Sequence, residues 1–395
     1  MISKKMEALV ENSSVIRAMF EEGKKMADLY GAENVFDYSL GNPSIEPPDE
    51  VKKAIIDIVT EENPMDIHGY MNNSGYEEVR REIAVSLNKR FDTAFGVEHI
   101  LMTVGAAGGL NVILKTLLNP GDEVIVFAPF FGEYRNYVNN YDGNLIVVPP
   151  DTKSFLPNLR EFANRISERT KAVIVNTPNN PTGVVYSENT IKALAEIMYK
   201  AQDKFGTSIY LISDEPYREL AYDGVEVPFL TKYYENTIVG YSYSKSLSLP
   251  GERIGYLVMP GELDDWEEIV HAANVANRIL GFVNAPSLLQ KVIGKCVDVP
   301  INISQYDRNR KFLYDALSRC GYEMVKPEGA FYLFIKAFEK DDVAFSEKAK
   351  KHRLLLVPGS AFGCPGYVRL AYCVDYDMIK RSIPSFQALA KEYYR

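Results

Sequence analysis

Short segments of mostly apolar or β-branched residues alternate with helical segments between about residues 75 and 260. No other feature of the sequence restricts the fold as strongly. The apolar segments are residues 124–129, 172–178, 209–213, 237–242 and 254–259. Strands that are apolar on both faces are typical of a mostly parallel sheet covered by helices. The sequence therefore predicts an α/β fold, with ligand-binding residues in the loops at the carboxyl ends of these strands.

The pattern changes after about residue 290. A long helical segment is followed there by shorter strand-like segments, at 330–335, 354–363 and 367–374, which are typical of an α+β unit. A chain of 395 residues has room for two domains. We expect a large domain at residues 46–288, and a small domain made of residues 1–45 together with 289–395.

Two helices are predicted from local patterns. Ser74 followed by Glu77 has the spacing of a capping box and predicts a helix that runs to about Arg90. Residues 188–204 form a second helical stretch.

The charge balance limits the partners. Asp and Glu number 53 against 44 Lys and Arg, for a net charge of −9, which disfavours binding to nucleic acid or to an anionic membrane. The four cysteines and four histidines show no metal-ligand or disulfide spacing, so no metal site is expected. No apolar segment approaches the ~18 residues of a membrane span. We expect a cytoplasmic protein with a small-molecule partner.

A turn of small residues at positions 105–109 precedes an apolar helix. Because no bulky side chain is present, the backbone N–H groups of Gly105, Ala106 and Ala107 can approach a phosphate. An ordinary strand-to-helix turn is the alternative. The turn has neither a GxGxxG nor a Gly-Lys-Ser/Thr pattern, which disfavours dinucleotide and ATP binding.

Other candidate residues follow the next strands. Phe131 lies just beyond a strand end, where its ring could stack on a flat ligand or pack in the core. The polar loop NTPNNPTG at 176–183 is also typical of an ordinary turn. Asp214 directly follows apolar residues, and a buried carboxylate is costly unless it meets a cation or hydrogen-bond donors. A helix cap or a structural ion pair is the alternative for Asp214.

The loop at 240–256 carries the strongest chemical signal. Lys245 follows a buried strand and has no acidic residue close to it in sequence, while Arg253 lies farther along the same loop. A lysine in such a place can have a lowered pKa and act as a nucleophile. Arg369 lies within an apolar strand, where an arginine usually binds an anion through two hydrogen bonds.

Together these motifs resemble the class I aminotransferases, which are fold-type I enzymes that depend on pyridoxal 5'-phosphate (PLP). The NxPxNPTG motif, DEPY, SxSK with its GxR continuation, and VRL occur in the family's order between residues 40 and 372. The resemblance implies a three-layer large domain with a mostly parallel sheet, a smaller α+β domain, and PLP as the cofactor.

The resemblance also implies catalytic roles. Lys245 would form the internal Schiff base with PLP and later move the substrate proton. Asp214 would pair with the ring nitrogen of the cofactor, which acts as an electron sink while that nitrogen stays protonated. Asn180 and Tyr217 would form hydrogen bonds with the ring hydroxyl.

The remaining implied roles concern binding. Phe131 would stack on the cofactor ring, and Tyr70 would reach the phosphate from the other subunit of a homodimer. Arg369, with Asn180 and the backbone at Gly41, would bind the substrate α-carboxylate. The residues implied to hold the phosphate are small, hydroxyl-bearing or basic: Gly105, Ala106, Ala107, Ser242, Ser244 and Arg253.

The expected reaction moves an amino group between an L-amino acid, aspartate-like as the first choice, and a 2-oxo acid such as 2-oxoglutarate. Arg278 and Arg17 are the two candidates for binding the distal carboxylate of such a substrate. Two alternatives share the same core residues. They are a PLP-dependent carbon–sulfur β-lyase and an aminotransferase for aromatic or other neutral amino acids.

Overall fold

A seven-stranded sheet forms the centre of the computed structural model, which describes residues 2–11 and 15–394. The strands, in chain order, are β1 (Phe36–Asp37), β2 (Ile100–Thr103), β3 (Glu123–Phe127), β4 (Asn144–Val148), β5 (Thr170–Asn176), β6 (Tyr210–Asp214), β7 (Thr237–Ser242), β8 (Gly255–Val258), β9 (Tyr332–Lys336), β10 (Leu354–Leu355), β11 (Val357–Pro358) and β12 (Tyr367–Ala371). The central sheet has the order β2-β8-β7-β6-β5-β3-β4. Strand β8 alone runs opposite to the other six strands of this sheet, so the predicted mostly parallel sheet is confirmed.

The α-helices surround this sheet and the smaller ones. In chain order they are α1 (Lys4–Glu11), α2 (Val15–Tyr30), α3 (Asp49–Glu61), α4 (Pro64–His68), α5 (Glu77–Phe91), α6 (Gly105–Leu117), α7 (Glu133–Asn140), α8 (Leu159–Arg165), α9 (Glu188–Phe205), α10 (Tyr243–Ser246), α11 (Trp266–Ile279), α12 (Ser287–Cys296), α13 (Ser304–Arg319), α14 (Asp342–Lys351) and α15 (Tyr376–Lys391).

Helices cover both faces of the central sheet. Successive residues of a strand point to opposite faces, and β5 accordingly places Val173 in a core with α9 and Ile174 in a core with α6. These two cores explain why the strand is apolar without alternation. The three-layer α/β fold expected from the sequence is therefore confirmed.

A second group of strands forms near the C-terminus. An antiparallel sheet has the order β11-β12-β9, and the short strand β1 pairs in parallel with β10. Phe36, within this pairing, and Tyr38, just after it, share one core with Phe331 and Tyr332. The N-terminal segment is thus tied to the C-terminal elements.

We propose that the chain forms two domains close to the expected limits, 46–288 and 1–45 with 289–395. Helix α12, however, packs against α3 and α5 in a core that includes strands of the central sheet. We therefore propose that the large domain extends to Cys296 and that the C-terminal part of the small domain begins after it.

The predicted capping box is wrong. Helix α5 begins at Glu77, and Tyr76 before it makes no side-chain capping bond. The Ser74 hydroxyl instead donates to Oδ1 of Asn274, at 2.7 Å, across the fold. The other predicted helix is α9, which is capped by the Ser187 side chain accepting from the Thr190 N–H.

Among the described residues, every helix is too short or too polar to span a lipid bilayer. No group of three or more His, Cys, Asp or Glu side chains among them is placed to hold a metal ion.

Candidate active site

A cavity of about 270 Å3 opens where β5, β6 and β7 end. Most of the residues predicted from the sequence line it, although they are far apart in the chain. They are Gly41, Ala106, Ala107, Phe131, Asn180, Asp214, Tyr217, Ser242, Ser244, Lys245, Arg253 and Arg369.

Asp214 is the last residue of β6 and is only 5% exposed. Its Oδ2 accepts a hydrogen bond of 2.5 Å from the Tyr134 hydroxyl, while its buried Oδ1 has no partner among the described residues. Burial raises the pKa of Asp214 to about 6, although the bond from Tyr134 opposes this rise. The free oxygen is therefore a site for a donor that carries positive charge.

Lys245 lies in α10, the short helix that follows β7. Its Nζ donates to the carbonyl oxygen of Gly41 at 2.8 Å and lies 5.3 Å from the centre of the Phe331 ring. No carboxylate forms an ion pair with it in the described part of the chain. Burial lowers the pKa of Lys245 to about 8, so a useful fraction of this amine is neutral near pH 7 and can act as a nucleophile or a base.

A cradle of hydrogen-bond donors lies at the start of α6. Gly105 is its first residue, with φ of +74°, and a Cβ there would lie only 2.9 Å from Nη2 of Arg253. Glycine thus keeps the guanidinium close to the N–H groups of the helix. The hydroxyls of Ser242 and Ser244, which also line the cavity, are 2.8 Å apart. Such a set of N–H, hydroxyl and guanidinium donors suits a phosphate.

Arg369, on β12, is 2% exposed and has neutral partners only. It donates from Nη2 to the carbonyl oxygen of Ser39 at 2.5 Å and from Nη1 to Oδ1 of Asn180 at 3.2 Å. Its Nε has no partner among the described residues. Burial lowers the pKa of Arg369, but a guanidinium stays charged in proteins, so this cation needs an anionic ligand.

Three residues in the site were missed by the sequence analysis. The Tyr332 hydroxyl lies 2.8 Å from that of Tyr217. The second is Tyr134, which bonds Asp214. Asn176 donates to the carbonyl oxygen of Asp214 at 2.9 Å and accepts from the Asn180 N–H at 2.8 Å. Asn176 is the first residue of the polar loop at 176–183 that the sequence singles out, although no role was assigned to it there.

Other predicted residues lie outside the cavity lining. Gly105 is next to it, whereas Tyr70 is 95% exposed and Arg278 is exposed near the end of α11. These two lie on adjoining segments, because Nδ2 of Asn284, after α11, donates to the carbonyl oxygen of Asn72 at 3.1 Å. The side chain of Arg17 lies outside the described residues.

The cavity contains groups that suit the ring, the phosphate and the aldehyde of PLP. Asp214 Oδ1 can accept from a ring N–H, and Phe131 presents an aromatic ring to a flat ligand. The donors near Gly105 suit the phosphate, and the Lys245 amine suits the aldehyde carbon.

Comparison with known proteins agrees with this fit. Residues 33–385 match the family model described as aminotransferase class I and II. The probable N-acetyl-LL-diaminopimelate aminotransferase of Bacillus subtilis is 31% identical, over 89% of this chain and 88% of its own. A crystal structure of an aminotransferase from Eubacterium rectale has a TM-score of 0.97 and 47% identity, and covers 100% of both chains.

A third relative was solved together with a ligand. Aspartate aminotransferase from Thermus thermophilus, solved with maleate, has a TM-score of 0.88 and 26% identity, over 98% of this chain and 99% of its own. All three relatives are aminotransferases, so the β-lyase alternative has no support from them. The chain belongs to the class I and II aminotransferases, and it is a PLP-dependent enzyme that transfers amino groups between amino acids and oxo acids.

Proposed function

We propose that this aminotransferase acts on an acidic amino acid, with aspartate as the first choice, and on a 2-oxo acid such as 2-oxoglutarate. Each has two carboxylates, of which Arg369 would bind the one next to the reacting carbon. The main support for an acidic substrate is Arg278, which is exposed on a segment adjoining that of Tyr70. The maleate in the Thermus thermophilus relative is itself a dicarboxylate, which supports this class of substrate.

A homodimer is part of the proposal. In the described chain neither Tyr70 nor Arg278 lines the cavity. We propose that both reach the cavity of a second copy, where Tyr70 would bind the phosphate and Arg278 the distal carboxylate. A cytoplasmic location is also proposed, and the scattered cysteines, all free in the structure, support it.

The residues of the cavity divide the work of the reaction. Bound PLP supplies an electron sink for the negative charge that develops at the substrate Cα. Asp214 would accept the ring N–H at Oδ1 and so hold the ring nitrogen in its protonated form. Lys245, held next to the substrate by α10, would remove the proton from Cα, and its lowered pKa suits a base near neutral pH. Arg369 would orient the substrate by its α-carboxylate.

Replacing Arg369 by lysine is expected to lower kcat/KM by about 10- to 100-fold for every amino acid substrate. Lysine keeps the charge but loses the planar pair of donors, and one hydrogen bond to a charged group contributes about 1.5–3 kcal/mol. Steady-state kinetics with several amino acids would measure the loss. An equal effect on all substrates is expected, since all share the α-carboxylate. A loss confined to acidic substrates would instead place Arg369 at the distal carboxylate.

Replacing Arg278 by alanine tests the proposed substrate class. We expect KM for aspartate and for 2-oxoglutarate to rise by about 10- to 100-fold, while kinetics with a neutral amino acid stay within about twofold. Arg160→Ala is the matched control, because Arg160 is an exposed arginine on α8, which packs near strand β4 at the far edge of the sheet. Unchanged kinetics with aspartate in both Arg278→Ala and Arg17→Ala would contradict an acidic substrate.

An aromatic or other neutral amino acid is the second candidate. The cavity lining includes apolar and aromatic side chains, which suit such a substrate: Leu40, Leu110, Phe131 and Tyr137. A screen of single half-reactions separates the candidates, because each true amino donor changes the visible absorbance of the bound cofactor. Faster change with tyrosine or phenylalanine than with aspartate would favour this second candidate.

A further inference from the structure

One buried side chain contacts three parts of the site at once. Tyr332, on β9, is 3% exposed. Its hydroxyl lies 2.8 Å from the Tyr217 hydroxyl, and its ring centre lies 4.6 Å from the guanidinium carbon of Arg369. A Cβ at Gly41 would collide with the same hydroxyl, so the backbone there approaches Tyr332 as closely as only glycine permits. Tyr332 thus lies between the groups proposed to bind the substrate carboxylate and a group proposed to bind the cofactor.

The hydrogen bond between the two tyrosines has a defined direction once the cofactor is bound. Each hydroxyl carries one hydrogen. If Tyr217 gives its hydrogen to the ring oxygen of PLP, it can only accept from Tyr332. The Tyr332 hydroxyl has no other hydrogen-bond partner among the described residues. Tyr332 therefore becomes the donor in a chain of two hydrogen bonds that ends on the cofactor.

We propose that Tyr332 is a positioning residue with two actions, one through its hydroxyl and one through its ring. The hydroxyl polarises Tyr217 and strengthens the bond from Tyr217 to the ring oxygen of the cofactor, since donors in a chain reinforce one another. The ring supports the guanidinium of Arg369 by a cation–π contact. The inference rests on the roles proposed for Tyr217 and Arg369, but not on which amino acid the enzyme uses.

The charged and titratable groups around the pair allow this role at all ordinary pH values. Arg369 and Cys373 face Tyr332, and Asp214 faces Tyr217. Burial raises the pKa of Tyr332 to about 12 and that of Tyr217 well above its ordinary value. Burial also raises the pKa of Cys373 to about 12. Both phenols therefore keep their hydrogens between pH 5 and 10, the range in which the bound cofactor would be titrated.

The variant Tyr332→Phe tests the hydroxyl. A hydrogen bond to the ring oxygen favours its deprotonated form, so weakening that bond raises the pKa at which the visible absorbance of the holoenzyme changes. A reinforcement of about 10–30% between linked bonds predicts a rise of roughly 0.3 pH unit, and Tyr217→Phe should cause a larger one. Absorbance spectra recorded from pH 5 to 10 measure both.

A double variant shows whether the effect passes through Tyr217. In a Tyr217→Phe background, Tyr332→Phe is expected to cause no further change in this pKa. Tyr322→Phe is the matched control, since Tyr322 is a buried tyrosine whose hydroxyl donates to the Phe386 carbonyl oxygen at 3.0 Å, away from the cavity lining. The control should alter thermal stability only.

Three results would overturn the action of the hydroxyl, and they differ in how much they reject. An unchanged pKa in Tyr332→Phe rejects the chain of hydrogen bonds but leaves the role proposed for Tyr217 in place. An equal change on adding Tyr332→Phe to the wild type and to Tyr217→Phe has the same meaning. An unchanged pKa in Tyr217→Phe rejects the proposed place of Tyr217 as well. Neither measurement uses a substrate, so both are independent of the proposal of an acidic amino acid.

The variant Tyr332→Leu tests the ring. Loss of the cation–π contact is expected to raise KM about 3- to 30-fold for amino acids and oxo acids alike, because all carry the carboxylate that Arg369 would bind. Tyr332→Phe keeps the ring and should leave KM within about twofold. Equal KM values for the Leu and Phe variants would reject the support of Arg369. If the Leu variant does not fold, Tyr332→Met, which keeps an apolar side chain without a ring, takes its place in the same comparison.

Discussion

Replacing Lys245 by alanine is expected to reduce turnover by on the order of 10⁴-fold. Two separate functions disappear with this side chain. The first is the amine that would hold the cofactor covalently, and the second is the base that would take the proton from the substrate Cα. No other lysine lines the cavity among the described residues, so no neighbour can replace it.

Two measurements check the prediction for Lys245. Borohydride reduction followed by mass spectrometry should attach the cofactor to the wild-type protein and not to Lys245→Ala, and single-turnover kinetics should show the loss of rate. Lys291→Ala is the control, because Lys291 is a largely buried lysine on α12 that forms an ion pair with Glu62 at 2.8 Å. Attachment of the cofactor to Lys245→Ala, or turnover close to that of the wild type, would contradict the assignment.

Replacing Asp214 by asparagine is expected to have opposite effects on activity and on the stability of the cofactor-free protein. Activity should fall by about 10²- to 10⁴-fold, because the ring nitrogen of the cofactor would lose the buried counter-charge proposed for it, and breaking a buried charge pair costs about 3–5 kcal/mol. Steady-state kinetics with saturating cofactor measure this part.

The stability effect follows from the sign of the pKa change. The pKa of Asp214 is about 6 in the folded chain against an ordinary value of 3.8, so folding disfavours its ionised form. This destabilisation is absent below about pH 4, grows as the pH rises to about 6, and then stays constant. The difference between these two pKa values corresponds to about 3 kcal/mol of free energy of unfolding. The asparagine variant should recover about 1–3 kcal/mol of it at pH 8.

Urea unfolding of the cofactor-free proteins at pH 4.5 and pH 8 measures the difference. Asp342→Asn is the control with the opposite expectation. Asp342 is just as buried, but its two oxygens accept from the N–H groups of Ser360, at 2.7 Å, and Gly366, at 3.2 Å. Its replacement should destabilise the protein. If Asp214→Asn also lowered stability at pH 8, the ionised Asp214 side chain would not be destabilising the cofactor-free protein.

Much of the site was predictable because its residues lie at the ends of strands that are recognisable in the sequence. Asp214 ends β6 and Ser242 ends β7, and the carboxyl ends of parallel strands meet at one edge of a sheet. Lys245 and Arg253 follow in the next loop, which returns along the antiparallel strand β8. The apolar pattern alone therefore brought these residues together, and the family resemblance added their roles.

Two of the residues that were missed, Tyr134 and Tyr332, had no comparable signal. Tyr134 lies in a short helix, and Tyr332 lies in an apolar strand between two other hydrophobic residues. In such places an aromatic residue is most often part of the core. Their roles depend on where the hydroxyl points, which packing decides. The same holds for Ser74, whose bond to Asn274 across the fold replaced the local cap that its spacing predicted.

The bond between Arg369 and the Ser39 carbonyl oxygen joins residues 330 positions apart, so it can form only late in the synthesis of the chain. A ribosome makes residue 369 only after every strand of the central sheet, the last of which ends at Val258. Asp214 and Lys245 are also complete by then. The growing chain therefore contains Asp214 and Lys245, proposed to hold the cofactor, well before it can assemble the Arg369 site proposed to hold the substrate carboxylate.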